Sequence, residues 1–136
     1  MKALSPEGFR RAHSFILENA RPLEKALFDF HFDSADPEPA VAELVKFQNS
    51  DGGFGHGLEP DLRNPNSSVL ATAMGLRLLK ELGVEGGEPP VEAALQYLMD
   101  TFDPETSTWR IVPPSSNDYP HAPWWGCDEE KEICAI

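Results

Sequence analysis

The chain has 136 residues and a formal net charge of −12, from 11 basic and 23 acidic side chains. So few lysines and arginines argue against nucleic acid and anionic membranes as partners, because both require clustered basic side chains. Apolar residues make up 40% of the chain and charged residues 25%, which is typical of one folded globular domain.

The cysteine content and the absence of targeting signals bear on the cellular compartment. The sequence has no run of about 20 apolar residues, which a membrane-spanning helix needs, and no basic-then-apolar leader. Cys127 and Cys134 both lie near the end of the chain, whereas a disulfide framework spreads its cysteines. With His121 they lack the fourth ligand of a zinc site. We therefore expect a cytoplasmic protein in a reducing environment.

Helix signals dominate up to residue 102. The first helix is predicted to start at Ser5, where a capping hydroxyl precedes Pro6. Four more helices are predicted to begin at Pro22, at Asp36-Pro37, at Asn66 or Ser67, and at Val91, from their apolar spacing and the breakers between them. His13 and His31 lie on the first two helices, and we expect both to be structural.

A glycine-rich turn at 49–57 separates the third helix from the fourth, because each glycine costs a helix about 1 kcal/mol against alanine. Residues 103–123 contain five prolines and read as an extended loop with no strand pair. An aromatic pair flanks the start of each segment, Phe47 with Phe54 and Phe102 with Trp109, at an offset of 55 residues, and an amphipathic helix precedes each pair. Such a repeat is typical of stacked helical hairpins.

The turn sequence FQNSDGGFG at 47–55 resembles the Gln…Gly-aromatic repeat of terpenoid cyclases and protein prenyltransferases. The runs RPLE at 21–24, GHGLEPDLR at 55–63 and PHAPWW at 120–125 resemble uncharacterised bacterial proteins of that superfamily. The resemblance covers nearly the whole chain. It implies that Gln48 and its turn brace the fold.

The resemblance also implies an all-α fold of antiparallel helical hairpins that form about half of an (α/α) toroid. The expected organisation is one partial domain over 1–136, with a helical part at 5–102, a Pro/Trp-rich loop at 103–126 and an acidic tail at 127–136. A complete ring needs more hairpins than this chain provides. We therefore expect either a missing C-terminal half or a homodimer that closes the core.

The loop after the glycine turn holds the first candidate site. His56, Glu59 and Asp61 lie within six residues of each other, and an imidazole beside carboxylates can perform acid–base catalysis near neutral pH. The same three side chains could ligate a divalent metal, the one cofactor considered. The alternative is a set of surface charges in which Arg63 pairs with Glu59 or Asp61.

The proline-rich segment holds the second candidate site. His121, Trp124 and Trp125, with Arg63, are predicted to line a binding pocket, because adjacent tryptophans suit carbocations or sugar faces. The alternative is a loop whose aromatic side chains anchor it on the core.

Two functions follow from these expectations. The first is an enzyme-like toroid domain with an apolar or sugar-like small molecule in its central cavity, acting through His56, Glu59 and Asp61. The second is a non-catalytic binding or scaffold repeat, or a fragment of a longer toroid. The Asp-x-Asp-Asp motif of hopene-type cyclases and the zinc-binding pattern of prenyltransferases do not occur in the sequence, so the reaction stays open.

Overall fold

A computed structural model describes residues 4–128 and the backbone of residues 133 and 134. The chain divides into two compact units, one up to Glu43 and one from Leu44 onward. Most of the acidic tail predicted at 127–136 lies outside the described residues. No helix in the described part of the chain is long and apolar enough to cross a membrane.

The first unit contains three helices, and the third ends at Leu44, which is the first residue of the second unit. Their bounds are α1 Pro6–Asn19, α2 Pro22–Phe32 and α3 Glu38–Leu44. Ser5 caps α1 by accepting a hydrogen bond of 3.1 Å from the Gly8 amide. Helices α1 and α2 pack through aromatic side chains, with the Phe9 and Phe28 ring centroids 5.8 Å apart.

The described residues of the second unit form two packed α-helices, four two-residue strands and three short 3-10 helices, the last at Val45–Phe47, Pro114–Asp118 and Pro123–Trp125. The α-helices and strands are α4 Val69–Glu81, α5 Pro89–Asp100, β1 Phe102–Asp103, β2 Thr108–Trp109, β3 Cys127–Asp128 and β4 Ile133–Cys134. The five predicted helices are confirmed, and their observed starts fall within three residues of the predicted ones. The cap of α4 is Ser68, whose hydroxyl accepts from the Ala71 amide at 3.0 Å, rather than Asn66 or Ser67.

The strands show that the predicted all-α half toroid is wrong. β1 pairs with β2, and β3 with β4, as two antiparallel sheets, so the described chain has a mixed architecture. The β1–β2 turn forms because the Asp103 carboxylate accepts hydrogen bonds from the Thr106 hydroxyl at 2.8 Å and the Glu105 amide at 2.9 Å. These hydrogen bonds lower the pKa of Asp103, and the bond from the Thr106 hydroxyl has the largest effect.

The cysteines also differ from expectation. Cys127 is disulfide-bonded, and the one other cysteine of the chain, Cys134, is its backbone partner in the β3–β4 register. The sequence predicted no disulfide because both cysteines cluster at one end. A local hairpin brings such neighbours together without any framework spread through the chain.

Candidate functional site

The glycine turn between α3 and α4 is a tight, antiparallel connection. The Asn49 amide donates to the Gly53 carbonyl at 2.8 Å, and the Gly52 amide donates to the Asn49 carbonyl at 3.0 Å. Gly52 has a φ of +87°, and a Cβ there would overlap the Ala93 carbonyl of α5. The turn thus requires glycine at this position for conformation and for space.

Gln48 fixes this turn against the start of α5. Its side-chain amide donates to the Gly52 carbonyl and to the Pro90 carbonyl, each at 2.9 Å. One amide therefore satisfies two carbonyls from segments 38 residues apart. This bracing role is the one that we expected for Gln48.

A chain of side-chain hydrogen bonds runs along one wall of the turn. The Ser67 hydroxyl donates to Asp51 Oδ1 at 2.7 Å and accepts from Asn49 Nδ2 at 2.9 Å. The amide oxygen of Asn49 lies 2.8 Å from His56 Nε2. Since this oxygen only accepts, His56 donates from Nε2, and its neutral form keeps Nδ1 as an acceptor.

A second polar wall comes from the segment after β2. Ser115 accepts hydrogen bonds from the side-chain amides of Asn64 at 3.0 Å and Asn66 at 3.1 Å. Asn64 also lies 3.4 Å from the Ser116 hydroxyl, and both of these side chains are buried. The contacts join segments about 50 residues apart.

The two walls flank an open surface cleft of about 500 Å³, which we call the polar cleft. It is lined by Asn49, Ser50, Asp51, Asn66, Ser67, Pro113 and Ser115. Six of these seven side chains carry a hydroxyl, an amide or a carboxylate, and none is basic. Five of the six polar side chains hydrogen-bond to another lining side chain, which orders them before any ligand binds.

The predicted catalytic residues do not converge on one another. Glu59 accepts a hydrogen bond from the Asp61 amide at 3.2 Å, which is a local turn contact. Arg63 donates from Nε to the Pro60 carbonyl at 2.8 Å, and no ion pair joins it to either carboxylate among the described residues. His56 reaches the polar cleft through Asn49, while Glu59 and Asp61 are not among its lining residues.

The structure does bring the two predicted site segments together through their backbones. Leu62 and His121 form an isolated antiparallel bridge. The Arg63 amide donates to the Pro120 carbonyl at 3.0 Å, and the Ala122 amide donates to the Asp61 carbonyl at 2.8 Å. This pairing was not visible in the sequence, because both segments are rich in proline or glycine and show no strand alternation.

The predicted aromatic pocket residues have different surroundings. Trp125 packs against a small core of Leu62 and Val112, and its indole N–H is buried without a hydrogen-bond partner. Trp124 is 56% exposed. His121 donates from Nδ1 to the Tyr119 carbonyl at 2.7 Å, because a carbonyl only accepts. Trp125 therefore anchors the loop, as the alternative interpretation described.

One group of metal-ligating side chains lies in the first unit. His13, Asp29 and Asp33 each present a ligand atom within 4.8 Å of the others, and they are the group found among the described residues. This group differs from His56, Glu59 and Asp61, the residues for which the sequence suggested a divalent metal. The four-residue spacing of Asp29 and Asp33 was a usable signal, since it places both on one face of α2.

Comparisons with models of protein families, with curated proteins and with solved structures find no significant match to this chain.

Proposed function

We propose that the second unit binds a small, neutral, polyhydroxylated molecule, such as a saccharide, in the polar cleft. The observation that carries this proposal is the lining, in which six of seven side chains are polar and five of these six hydrogen-bond to another lining side chain. Hydroxyls and amides both donate and accept, as sugar hydroxyls require. The cleft volume of about 500 Å³ is in the range of small-molecule sites.

Charge selects a neutral ligand over an anionic one. Asp51 lines the cleft, no lysine or arginine does, and the net charge of the chain is −12. A phosphate or diphosphate would meet a carboxylate with no cation to offset it. Of the two substrate types expected from the sequence, the sugar-like one is favoured over the apolar one, since a wholly apolar ligand would displace water from these polar groups without replacing its hydrogen bonds.

The cleft suits binding better than glycoside hydrolysis. Most glycosidases use two carboxyl groups about 5–9.5 Å apart, whereas Asp51 is the one carboxylate among the lining residues. An acid–base role for His56, Glu59 and Asp61 stays a prediction. The proposed activity is therefore recognition, which agrees with the non-catalytic alternative drawn from the sequence.

A titration with neutral mono- and disaccharides, followed by NMR shifts of the backbone amides, tests this proposal. We expect shifts at 49–51, 66–67 and 113–115 with a neutral sugar, and weaker shifts with the corresponding uronic acid, which the Asp51 carboxylate repels. Asp51→Asn keeps an acceptor oxygen and removes the charge. It should weaken neutral-sugar affinity about tenfold, because hydrogen bonds to charged groups contribute about 1.5–3 kcal/mol.

Asp100→Asn is the matched control, because Asp100 is an exposed carboxylate at the end of α5 that accepts from Gln96. This variant should bind like the parent chain. Equal loss of affinity in both variants, or shifts that map away from the cleft, would rule the cleft out as the site.

A second candidate function rests on an exposed apolar stripe. Leu95, Met99, Phe102 and Trp109 are each between 36% and 64% exposed, and the first two lie one turn apart on α5. Exposed apolar surface that is contiguous typically marks an interaction site. We propose self-association through this stripe, which would be the homodimer expected from the sequence.

A further inference from the structure

Helices α1 and α2 bring three potential metal ligands together. His13 lies on α1, Asp29 in the last turn of α2, and Asp33 caps that helix. His13 Nε2 lies 3.8 Å from Asp29 Oδ1 and 3.6 Å from Asp33 Oδ2. These residues belong to the first unit, so the inference is independent of the proposed sugar cleft.

The spacing fits a divalent transition ion. Zinc–ligand bonds of about 2.0–2.2 Å in a tetrahedral site place ligand atoms about 3.3–3.6 Å apart. The two histidine–carboxylate distances exceed this range by at most a few tenths of an ångström, and all three atoms lie within 4.8 Å. An ion bound by all three groups would therefore require the aspartate side chains to rotate toward each other.

Local electrostatics favour a cation at this position. Asp29 and Asp33 both lie at the C-terminal end of α2, where the free carbonyls already carry partial negative charge. Within the described residues, the only ion pairs of these carboxylates are those with His13. A divalent ion would offset both carboxylates and the helix end, which a single imidazolium cannot do.

The histidine is oriented in advance. Its ring stacks on Phe28, with centroids 5.2 Å apart and planes at 11°, and Phe9 lies 6.3 Å away. The Asp33 amide donates to the Asp29 carbonyl at 2.9 Å, which ties the two carboxylate residues together. The three side chains remain 30%, 41% and 45% exposed, so an ion can enter and water can complete its coordination.

We infer that His13, Asp29 and Asp33 form a binding site for one divalent transition-metal ion, with Zn²⁺ as the reference ion and water as the further ligand. One imidazole with two carboxylates favours such an ion over Mg²⁺ and Ca²⁺, which prefer oxygen ligands alone. The site would also clamp α1 to α2, because its ligands come from both helices.

Calorimetric titration of the full chain with Zn²⁺ and with Mg²⁺, at neutral pH and without reductant, tests this site. Omitting reductant keeps Cys127 in its disulfide and prevents thiolates from competing for zinc. We expect one Zn²⁺ per chain and at least tenfold weaker binding of Mg²⁺. Asp33→Asn and His13→Gln should each weaken Zn²⁺ binding at least tenfold.

His31→Gln and Asp36→Asn are matched controls, because each makes the same chemical change at an exposed position outside the cluster. Far-UV circular dichroism of every variant separates a lost ligand from a lost fold. Cobalt substitution supplies a second readout, since its visible spectrum should change in His13→Gln and not in His31→Gln. Unchanged Zn²⁺ affinity in the cluster variants, equal Mg²⁺ affinity or no Zn²⁺ binding would overturn the site.

Discussion

Asp51 connects the glycine turn to two other parts of the second unit. Its carboxylate accepts from the Gly53 amide at 3.0 Å and from the Ser67 hydroxyl at 2.7 Å. It also acts on Tyr97, whose pKa is raised above 10.0 first by burial and second by the negative charge of Asp51. The Asp51 side chain therefore stabilises the turn, lines the polar cleft and raises the pKa of a tyrosine on α5.

This coupling gives a titration prediction. Asp51→Asn should lower the pKa of Tyr97 part of the way toward 10.0, because burial, the larger cause, remains. The chain has two tyrosines, so tyrosinate absorbance should be followed in a Tyr119→Phe background. An unchanged Tyr97 titration in the double variant would show that Asp51 does not act on it.

The sign of the linked stability follows from the same shift. A tyrosine whose pKa is higher in the folded state favours folding fully below the unfolded value, near 10.0. That contribution is lost as the pH rises through the folded value. The chain should therefore become less stable in alkali above pH about 10, and Tyr97→Phe should reduce that loss.

At the scale of the elements, α4 packs directly against Phe54 of the glycine turn. Phe54 is fully buried, and its amide donates to the Thr72 hydroxyl of α4 at 2.9 Å. A Cβ added at Gly75 would lie 2.8 Å from the Phe54 ring. The aromatic residue of the turn thus fills the space that glycine leaves open on the helix.

Gly75→Ala should destabilise the chain despite the helix preference for alanine. Removing glycine from a helix gains about 1 kcal/mol, whereas overpacking a core costs about 1–3 kcal/mol. We expect a net loss of about 1 kcal/mol in the free energy of unfolding, measured by urea denaturation. Phe54→Leu should make the added methyl group less costly.

Gly87→Ala is the control, because a Cβ there meets no atom within 4 Å. Its effect should stay within about 0.5 kcal/mol. A stabilising Gly75→Ala would show that Phe54 can shift aside without cost.

The helices could be predicted from the sequence and the strands could not, because only the helices carry strong local signals. Pro6 and Pro22 mark helix starts through their fixed φ and missing amide hydrogen, and both signals are local. Strands of two residues have no alternation to detect. Phe102 lies opposite Trp109, with the ring centroids 4.7 Å apart and the planes tilted by 58°. This pair was recognised as part of a repeat and misinterpreted as a helical-hairpin feature.

The candidate sites were predictable only in part. His56 was singled out, and it does adjoin the polar cleft through Asn49. Asn49, Ser67 and Ser115 were not, because such residues are common in turns and caps and their convergence depends on the folded chain. His13 was assigned a structural role because a histidine on an amphipathic helix gives no indication of what faces it.

At the scale of the whole molecule, the exposed apolar stripe formed by α5, β1 and β2 predicts concentration-dependent self-association. Met99→Glu places a charge at the most exposed member of the stripe, 64% accessible, and should shift sedimentation equilibrium toward monomer. Leu17→Glu makes a comparable change at a 43% exposed site in the first unit and should have no such effect. A parent chain that remains monomeric at all concentrations would exclude this interface.

The polar cleft is built from residues far apart in the sequence, which determines when it can form during synthesis. Its walls meet through hydrogen bonds between residues 49 and 51 positions apart, from Asn66 and Asn64 to Ser115. Closing such long loops costs entropy before any contact repays it, whereas adjacent helices such as α4 and α5 associate through local contacts. A nascent chain that has not yet emerged beyond Ser115 thus lacks one wall of the polar cleft, so we expect the cleft to form after the α4–α5 hairpin.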